Sequence, residues 1–340
     1  MKFDFIIGNP PYQEEQEGDN KTFAPPIYHK FIDGAYEAGE HVELIHPARF
    51  LFNAGSTPKA WNQKMLEDEH LKVLYYEANS AKIFPNTDIK GGVAITYWDE
   101  KEKLGPIKTF TAFPELNSIL SKVNPAVESS LASVIYTQNR FDLNALYDDY
   151  PELQQVIGSG GKDKRFRNNI FEKVPAFTDA EIAGGIHVLG ISRNKRVWKW
   201  IDRKYVDNSH ENLEKWKTLV PAANGSGALG EVLSTPLVVG PLDGHTQSFI
   251  SIGSYETEEE AKATLKYIKS KFCRLMLGIL KTTQHNDRDK WNYVPLQDFT
   301  ASSDIDWSVS IPEIDQQLYA KYGLDEDEIE FIETHVKEMA

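Results

Sequence analysis

The first hundred residues alternate between short apolar runs and stretches of helical period. Lys2 to Gly8 reads as a short buried strand (FDFII), stopped by Gly8 and the turn-forming Asn9-Pro10-Pro11. Glu14 to Lys21 is polar and acidic and predicts a mobile loop. Ile27, Phe31, Ile32 and Ala35 recur at helical spacing, so a helix is expected over Tyr28–Ala38, closed by Gly39. A strand is expected over His41–His46, ended by Pro47. A helix around Trp61–Leu66 and strands over Leu71–Tyr76 and Gly91–Trp98 follow. Strand, helix, strand, helix, strand is the order of a layered α/β sheet.

Beyond about residue 115 the segments shorten and become richer in Gly, Asn and Ser, which places a boundary between Phe113 and Pro125. One later helix stands out. Thr257 with Glu260 forms a capping box, and Leu265, Ile268, Phe272, Leu275 and Ile279 recur every three or four residues. A last helix is expected from Asp325, with Glu328 three residues on and an apolar face of Ile329, Ile332 and Val336. The chain shows no internal repeat.

Composition is that of an ordinary globular chain, with 340 residues, 41% apolar and 26% charged. That length suggests two domains at roughly 150 residues each. No apolar run approaches the ~20 residues of a membrane span, and the N-terminus lacks the long apolar region of a secretory signal, so a cytoplasmic protein is expected. The single cysteine, Cys273, lies in an apolar helical run and reads as buried filler, which excludes an internal disulfide or a multi-cysteine zinc site.

Net charge is −14, but it is unevenly spread. Lys162 to Lys217 holds thirteen Lys and Arg against eight acids, and Lys262 to Lys290 eight against two. Asp298 to Ala340 reverses this, with twelve acids and two lysines. A phosphate backbone responds to local positive charge, so an acidic tail elsewhere leaves nucleic-acid binding open.

Candidate chemistry centres on Asn9-Pro10-Pro11-Tyr12, set directly after a strand. The exocyclic amine of adenine is a poor nucleophile, because its lone pair is delocalised into the ring. Two acceptors around that amine pull it toward tetrahedral geometry and localise the pair. The Asn9 side-chain carbonyl and the Pro10 backbone carbonyl are such acceptors, and Pro10 and Pro11 stiffen the backbone that aims them. Tyr12 is placed to stack on a base rotated out of a duplex. Alkylation then depends mainly on positioning. The alternative is a tight turn leaving a strand.

The segment FDFIIGNPPY resembles the catalytic motif of N6-adenine DNA methyltransferases of restriction–modification systems, most closely the gamma-class type II and type IIG methylases. IYHKFIDGAYEAGEHVELIHPARFL resembles the helix and strand that follow in that family, and IFPNTDIKGGVAITYW a later hairpin lining the base pocket. TEEEAKATLKYIKSKFCRLML is similar to a helix near the end of the family's target-recognition domains. The resemblance implies catalytic roles for Asn9, Pro10, Pro11 and Tyr12, with Phe84 as a base-stacking candidate. It implies S-adenosylmethionine as methyl donor and double-stranded DNA as partner.

In the family a glycine-containing cofactor motif precedes the catalytic motif by many residues, whereas here Asn9 lies eight residues from the start. The expectation is therefore the distal half of a split or truncated enzyme, with either a second polypeptide carrying the cofactor motif or a nuclease or helicase subunit as its protein partner. A permuted cofactor loop at Gly225-Ser-Gly227-Ala-Leu-Gly230 matches GxGxxG, but Pro221 and the poor helix after it favour a flexible loop near DNA phosphate.

DNA-binding candidates are Lys162, Lys164, Arg165 and Arg167 after a glycine-rich turn, and Arg193, Lys195, Arg196 and Lys199 in the run RNKRVWKWIDRK. A helix with a charged outer face is the other reading of that run. Asp88-Ile-Lys90 and Asp202-Arg-Lys204 fit the end of a nuclease motif without a placed upstream acid. His285-Asn286-Asp287 reads as a turn. The nine histidines show no metal-ligand spacing, and no serine has a hydrolase setting, so no metal is expected.

The sequence thus predicts an α/β protein: a partial Rossmann-like methyltransferase sheet (1–115), a mixed α/β target-recognition domain (116–300) and an acidic helical tail (301–340). The implied activity is site-specific adenine-N6 methylation of DNA. The alternatives are a DNA-binding specificity module without activity of its own, or the C-terminal part of a bifunctional endonuclease–methylase.

Overall fold

A computed structural model describes residues 2–14, 24–123, 129–281 and 283–339. The fold is mixed α/β, and the chain divides into two compact units, Met1–Asn117 and Ser118–Ala340. All of the expected Glu14–Lys21 loop except Glu14 lies outside the described residues.

The first unit is built on one sheet. Its elements are β1 (Phe3–Gly8), α1 (Tyr28–Ala38), β2 (Gly39–Pro47), α2 (Lys59–Glu67), β3 (Leu71–Glu77) and β4 (Val93–Asp99). The strand order is β1-β2-β4-β3, with β1 parallel to β2 and β4 antiparallel to both β2 and β3. Parallel pairing needs a crossover, and α1 supplies it. Tyr28 and Ile32 of α1, Trp61 and Met65 of α2, and Val42 and Leu44 of β2 share one buried cluster. The Trp61 indole N–H donates to Asp33 at 3.0 Å and ties the two helices together.

The expectation of a buried first strand is corrected here. Phe3, Phe5 and Ile7 are 68%, 69% and 79% exposed. Only Ile6 turns into the core cluster. β1 is the edge of the sheet among the described residues, and its run FDFII carries aromatic and aliphatic groups on a largely exposed face, where Phe5 stacks on His41 at 4.7 Å. Strands in parallel sheets are ordinarily buried on both faces.

In the second unit, α3 (Pro114–Val123) begins before the division and runs across it. Next come β5 (Ile135–Tyr136), α4 (Leu143–Asp149), and three one-turn helices, α5 (Leu153–Val156), α6 (Gly158–Gly161) and α7 (Ile170–Lys173). The strands β6 (Ile186–Ser192), β7 (Lys195–Ile201), β8 (Trp216–Pro221), β9 (Leu237–Val239), β10 (Asp243–His245) and β11 (Phe249–Tyr255) follow. They form two sheets, β10-β6-β7 and β5-β11-β8-β9.

The run Arg193–Lys204 is mainly strand. Arg193 and Asn194 have φ of 48° and 62° and turn the β6–β7 hairpin, the two positive φ values of a type I′ turn. The expected long helix is two: α8 (Glu258–Lys269), opened by the Thr257–Glu260 capping box, and α9 (Lys271–Gly278). Ser270 is extended at ψ 151°, and its hydroxyl accepts from the Cys273 N–H to begin α9 afresh.

α10 (Ile311–Lys321) was not anticipated, although Ser310 and Glu313 form a capping box before it. α11 (Glu326–His335) starts at the Asp325–Glu328 box, and Ile332 and Val336 are buried. Cys273 is fully buried, with its thiol pushed up by desolvation. Among the described residues no helix is long and apolar enough to cross a membrane, and no cluster of acids, histidines or cysteine is placed to hold a metal.

Candidate functional site

Parallel strands bring their carboxyl ends to the same edge of a sheet, where ligands of open α/β sheets bind. Here Asn9 follows the end of β1, and Pro47 closes β2 beside it, with Gly8 in register with Leu44. A cavity of 310 Å³ opens at this edge, at the small end of the range for small-molecule sites. Its walls include Tyr12 and Gln13 after β1, Tyr28 at the start of α1, Pro47 and Arg49 after β2, and Asp88 to Lys90 before β4.

The corner itself is pinned from behind. The Ile27 N–H donates to the Tyr12 carbonyl at 3.1 Å, and Glu14 N–H to the Pro25 carbonyl at 3.0 Å. Asn9 is exposed. No described residue engages its carboxamide or the Pro10 carbonyl, so both acceptors stay open. Tyr12 is the member of the motif that reaches the cavity wall. Its hydroxyl is buried with no partner among the described residues, and burial raises its pKa to about 12.

Phe84, singled out in the sequence, meets Tyr12: the rings pack edge to face, with centroids 6.4 Å apart and planes at 68°. Tyr28 stacks on His46 at 6.1 Å behind the cavity, with its hydroxyl bonded to Thr57. His46 is fully buried, and desolvation lowers its pKa to about 4, so a neutral imidazole contacts the Thr96 hydroxyl at 2.8 Å. Sequence reasoning missed Arg49 and Tyr28 as site residues. Both lie in IYHKFIDGAYEAGEHVELIHPARFL, a segment whose resemblance implies a border of the cofactor and base pockets without singling out either residue.

The basic candidates divide by what holds them. Asp163 grips two guanidiniums at once: Arg165 Nε at 2.8 Å and Arg167 Nε at 2.6 Å. Lys162 and Lys164 beside them are exposed, without an ion pair among the described residues. Arg193 and Lys195 stand on the hairpin turn in the same condition. Lys199 is paired to Asp179 at 2.6 Å. Arg196 lies over the Phe249 ring and donates to the Ser234 and Thr235 carbonyls at 2.7 Å each, which engages it inside the fold.

The glycine-rich loop 225–230 is corrected as a phosphate loop. Its Ser226 and Gly227 N–H groups donate to the Glu231 carboxylate at 2.8 and 3.1 Å. Glu231 in turn pairs with the buried Lys281. An internal anion already fills the place of a ligand. Asp88 and Lys90 are an exposed ion pair at 2.6 Å, and Asp202 caps a short helical turn. His285 forms an isolated bridge with Ala223.

Residues 1–84 match the model of the Eco57I restriction-modification methylase family. An "uncharacterized adenine-specific methylase" of Mycoplasma pneumoniae is 31% identical over 100 residues, 29% of this chain and 24% of that protein. This chain thus matches about a quarter of that relative's length. The solved structure of the type IIG restriction endonuclease BpuSI aligns with 90% of this chain and 48% of its own, at 10% identity and a TM-score of 0.32, too low to carry weight. Over residues 1–84, then, the resemblance that began at the Asn-Pro-Pro-Tyr corner is a match to restriction–modification methylases.

Proposed function

We propose that this chain carries the base-accepting and DNA-reading parts of a site-specific DNA adenine-N6 methyltransferase of a restriction–modification system. The observation that carries the reading is at the end of β1: Asn9 and Pro10, whose acceptors no described residue engages, lead directly into Tyr12, which walls a cavity. An adenine flipped from the duplex enters with its ring against Tyr12. Its two amino N–H groups donate hydrogen bonds to the Asn9 side-chain and Pro10 backbone carbonyl oxygens, which localises the nitrogen lone pair. As the new N–C bond formed, the donor's S–C bond would break to leave a neutral thioether, and the amine would release one proton to solvent at this exposed edge. Phe84 braces Tyr12 from its edge.

S-adenosylmethionine would supply the electrophilic methyl group on a sulfonium. Among the described residues the glycine loop at 225–230 does not fit that donor, because Glu231 already occupies its amides. The exposed face and edge of β1 fit attachment of the part that would hold it. Phe3, Phe5 and Ile7 form an exposed apolar stripe beside unpaired strand backbone, and such edges are templates for further pairing. We infer that the cofactor-binding half docks there. Lys162 and Lys164, with Arg165 and Arg167 held ready by Asp163, and Arg193 and Lys195 on the hairpin tip would meet DNA phosphates.

The bare β1 edge also favours a second reading, a specificity module that does not methylate alone. Labelled S-adenosylmethionine and a DNA library, added to the purified chain with and without the products of adjoining genes, decide between them. Methyl transfer by the chain alone excludes the module. Transfer restored only by a second polypeptide supports the split enzyme. No N6-methyladenine under any combination refutes the methyltransferase reading.

A further inference from the structure

We propose that Arg49 is the phosphate clamp of the nucleotide whose base enters the Tyr12 cavity. The proposal deepens the adenine reading and rests on it.

Arg49 opens a short helical turn directly after β2, and the next two residues, Phe50 and Leu51, are fully buried. They fix its backbone. Its side-chain stem is threaded between two glycines that only a missing side chain makes passable. Gly91 has φ +84°, and a Cβ there would lie 2.5 Å from Arg49 Cγ. Gly55 has φ +93°, and a Cβ there would lie 3.2 Å from Arg49 Cβ. Both glycines adopt left-handed backbone that other residues resist. The sequence therefore keeps two costly positions open around one arginine.

Arg49 so placed lines the same cavity as Tyr12. Its guanidinium makes no hydrogen bond or ion pair among the described residues. The one carboxylate on the same wall, Asp88, is already paired with Lys90 at 2.6 Å. An arginine with a fixed stem and an open fork suits a planar or bidentate anion. Tyr12, Tyr28, Pro26 and Pro47 make the remaining walls largely aromatic and apolar, which suits a base attached to that anion. A nucleoside monophosphate unit satisfies both at once, and in DNA that unit is the extruded nucleotide with its own backbone phosphate.

The test is calorimetric titration of the full chain with deoxyadenosine and with deoxyadenosine 5′-monophosphate. Wild type should bind the monophosphate about ten-fold more tightly than the nucleoside, as a charge-assisted pair would give. Arg49→Gln should abolish that preference while leaving nucleoside binding unchanged, and Arg49→Lys should keep part of it. Gly91→Ala, which displaces the stem, should act like Arg49→Gln. Equal binding of both ligands by wild type, or a preference that survives Arg49→Gln, overturns the clamp and leaves the base pocket standing. A preference lost in Arg49→Gln but indifferent to Tyr12→Ala keeps an anion site and overturns the adenine pocket. Absence of binding by either ligand overturns both.

Discussion

Tyr12 and Phe84, separated by most of the first unit's sequence, meet edge to face at 6.4 Å, and the Tyr12 hydroxyl is buried without a hydrogen-bond partner among the described residues. A buried hydroxyl without a partner costs about 1–3 kcal/mol. Tyr12→Phe should therefore leave stability unchanged or raise it by up to about 1 kcal/mol, because only the orphaned oxygen is removed. Chemical denaturation measures this; a loss of more than about 1 kcal/mol would show that the hydroxyl has a partner. The ring is what the proposed stacking needs, so base binding should survive Tyr12→Phe and fail in Tyr12→Ala.

Glu231 is predicted to be structural. It accepts the Ser226 and Gly227 N–H groups and neutralises Lys281, whose side chain is only 2% exposed. Removing one partner of a buried pair leaves an uncompensated charge, at a cost of about 3–5 kcal/mol. Glu231→Ala should destabilise the chain by that order, and added inorganic phosphate should not restore it. Recovery by phosphate would show that the loop is an anion site after all.

Acid should weaken the fold before its carboxylates titrate. Burial lowers His46 to about 4 and His245 to about 3. Both lie below the ordinary ~6.5 of an unfolded histidine. As pH falls through that value, the unfolded chain takes up protons first, so stability present above about pH 6.5 is lost toward pH 4 and 3. The slope approaches ~1.4 kcal/mol per pH unit for each histidine. Asp315 opposes this: burial raises its carboxyl to about 6, so the folded state binds its proton first between that pH and its usual value near 3.8. Two histidines outweigh one aspartate. Urea midpoints should fall from pH 7.5 to pH 5, and more steeply in Asp315→Asn; a flat or rising midpoint would contradict the assignment.

Ser270→Ala should cost about 1 kcal/mol, the worth of a helix N-cap. The Ser270 hydroxyl starts α9, and its extended backbone separates α9 from α8. An unchanged unfolding midpoint would show that the break needs no cap.

That break marks where periodicity misleads. Leu265 to Ile279 keeps a helical spacing across both helices, and the interruption resides in a single serine. Much of the first unit was legible, since α1, β2, α2, β3 and β4 follow their apolar periods to within about two residues. β1 was read as a strand but not as an exposed one. Local pattern records that FDFII is apolar, and only the sheet order records that it forms an exposed edge among the described residues. In RNKRVWKWIDRK the period of two was present, yet its charges masked the hairpin that Arg193 and Asn194 turn. The Asn9–Tyr12 proposal could be drawn from the sequence because its residues are contiguous. The Arg49 proposal could not: that residue's setting depends on Gly55 and Gly91, brought together by folding, and on backbone angles that residue names do not state.

The central claim is that the Asn9 and Pro10 oxygens activate an adenine amine. Its most direct measurement is N6-methyladenine formed from labelled S-adenosylmethionine by the enzyme, with the products of adjoining genes supplied where transfer requires them, in wild type and in Asn9→Ala, with duplex affinity followed in parallel. We expect turnover to fall at least 10²- to 10³-fold, about what loss of one preorganised polar group removes, with affinity largely kept. Wild-type turnover in Asn9→Ala would contradict the account.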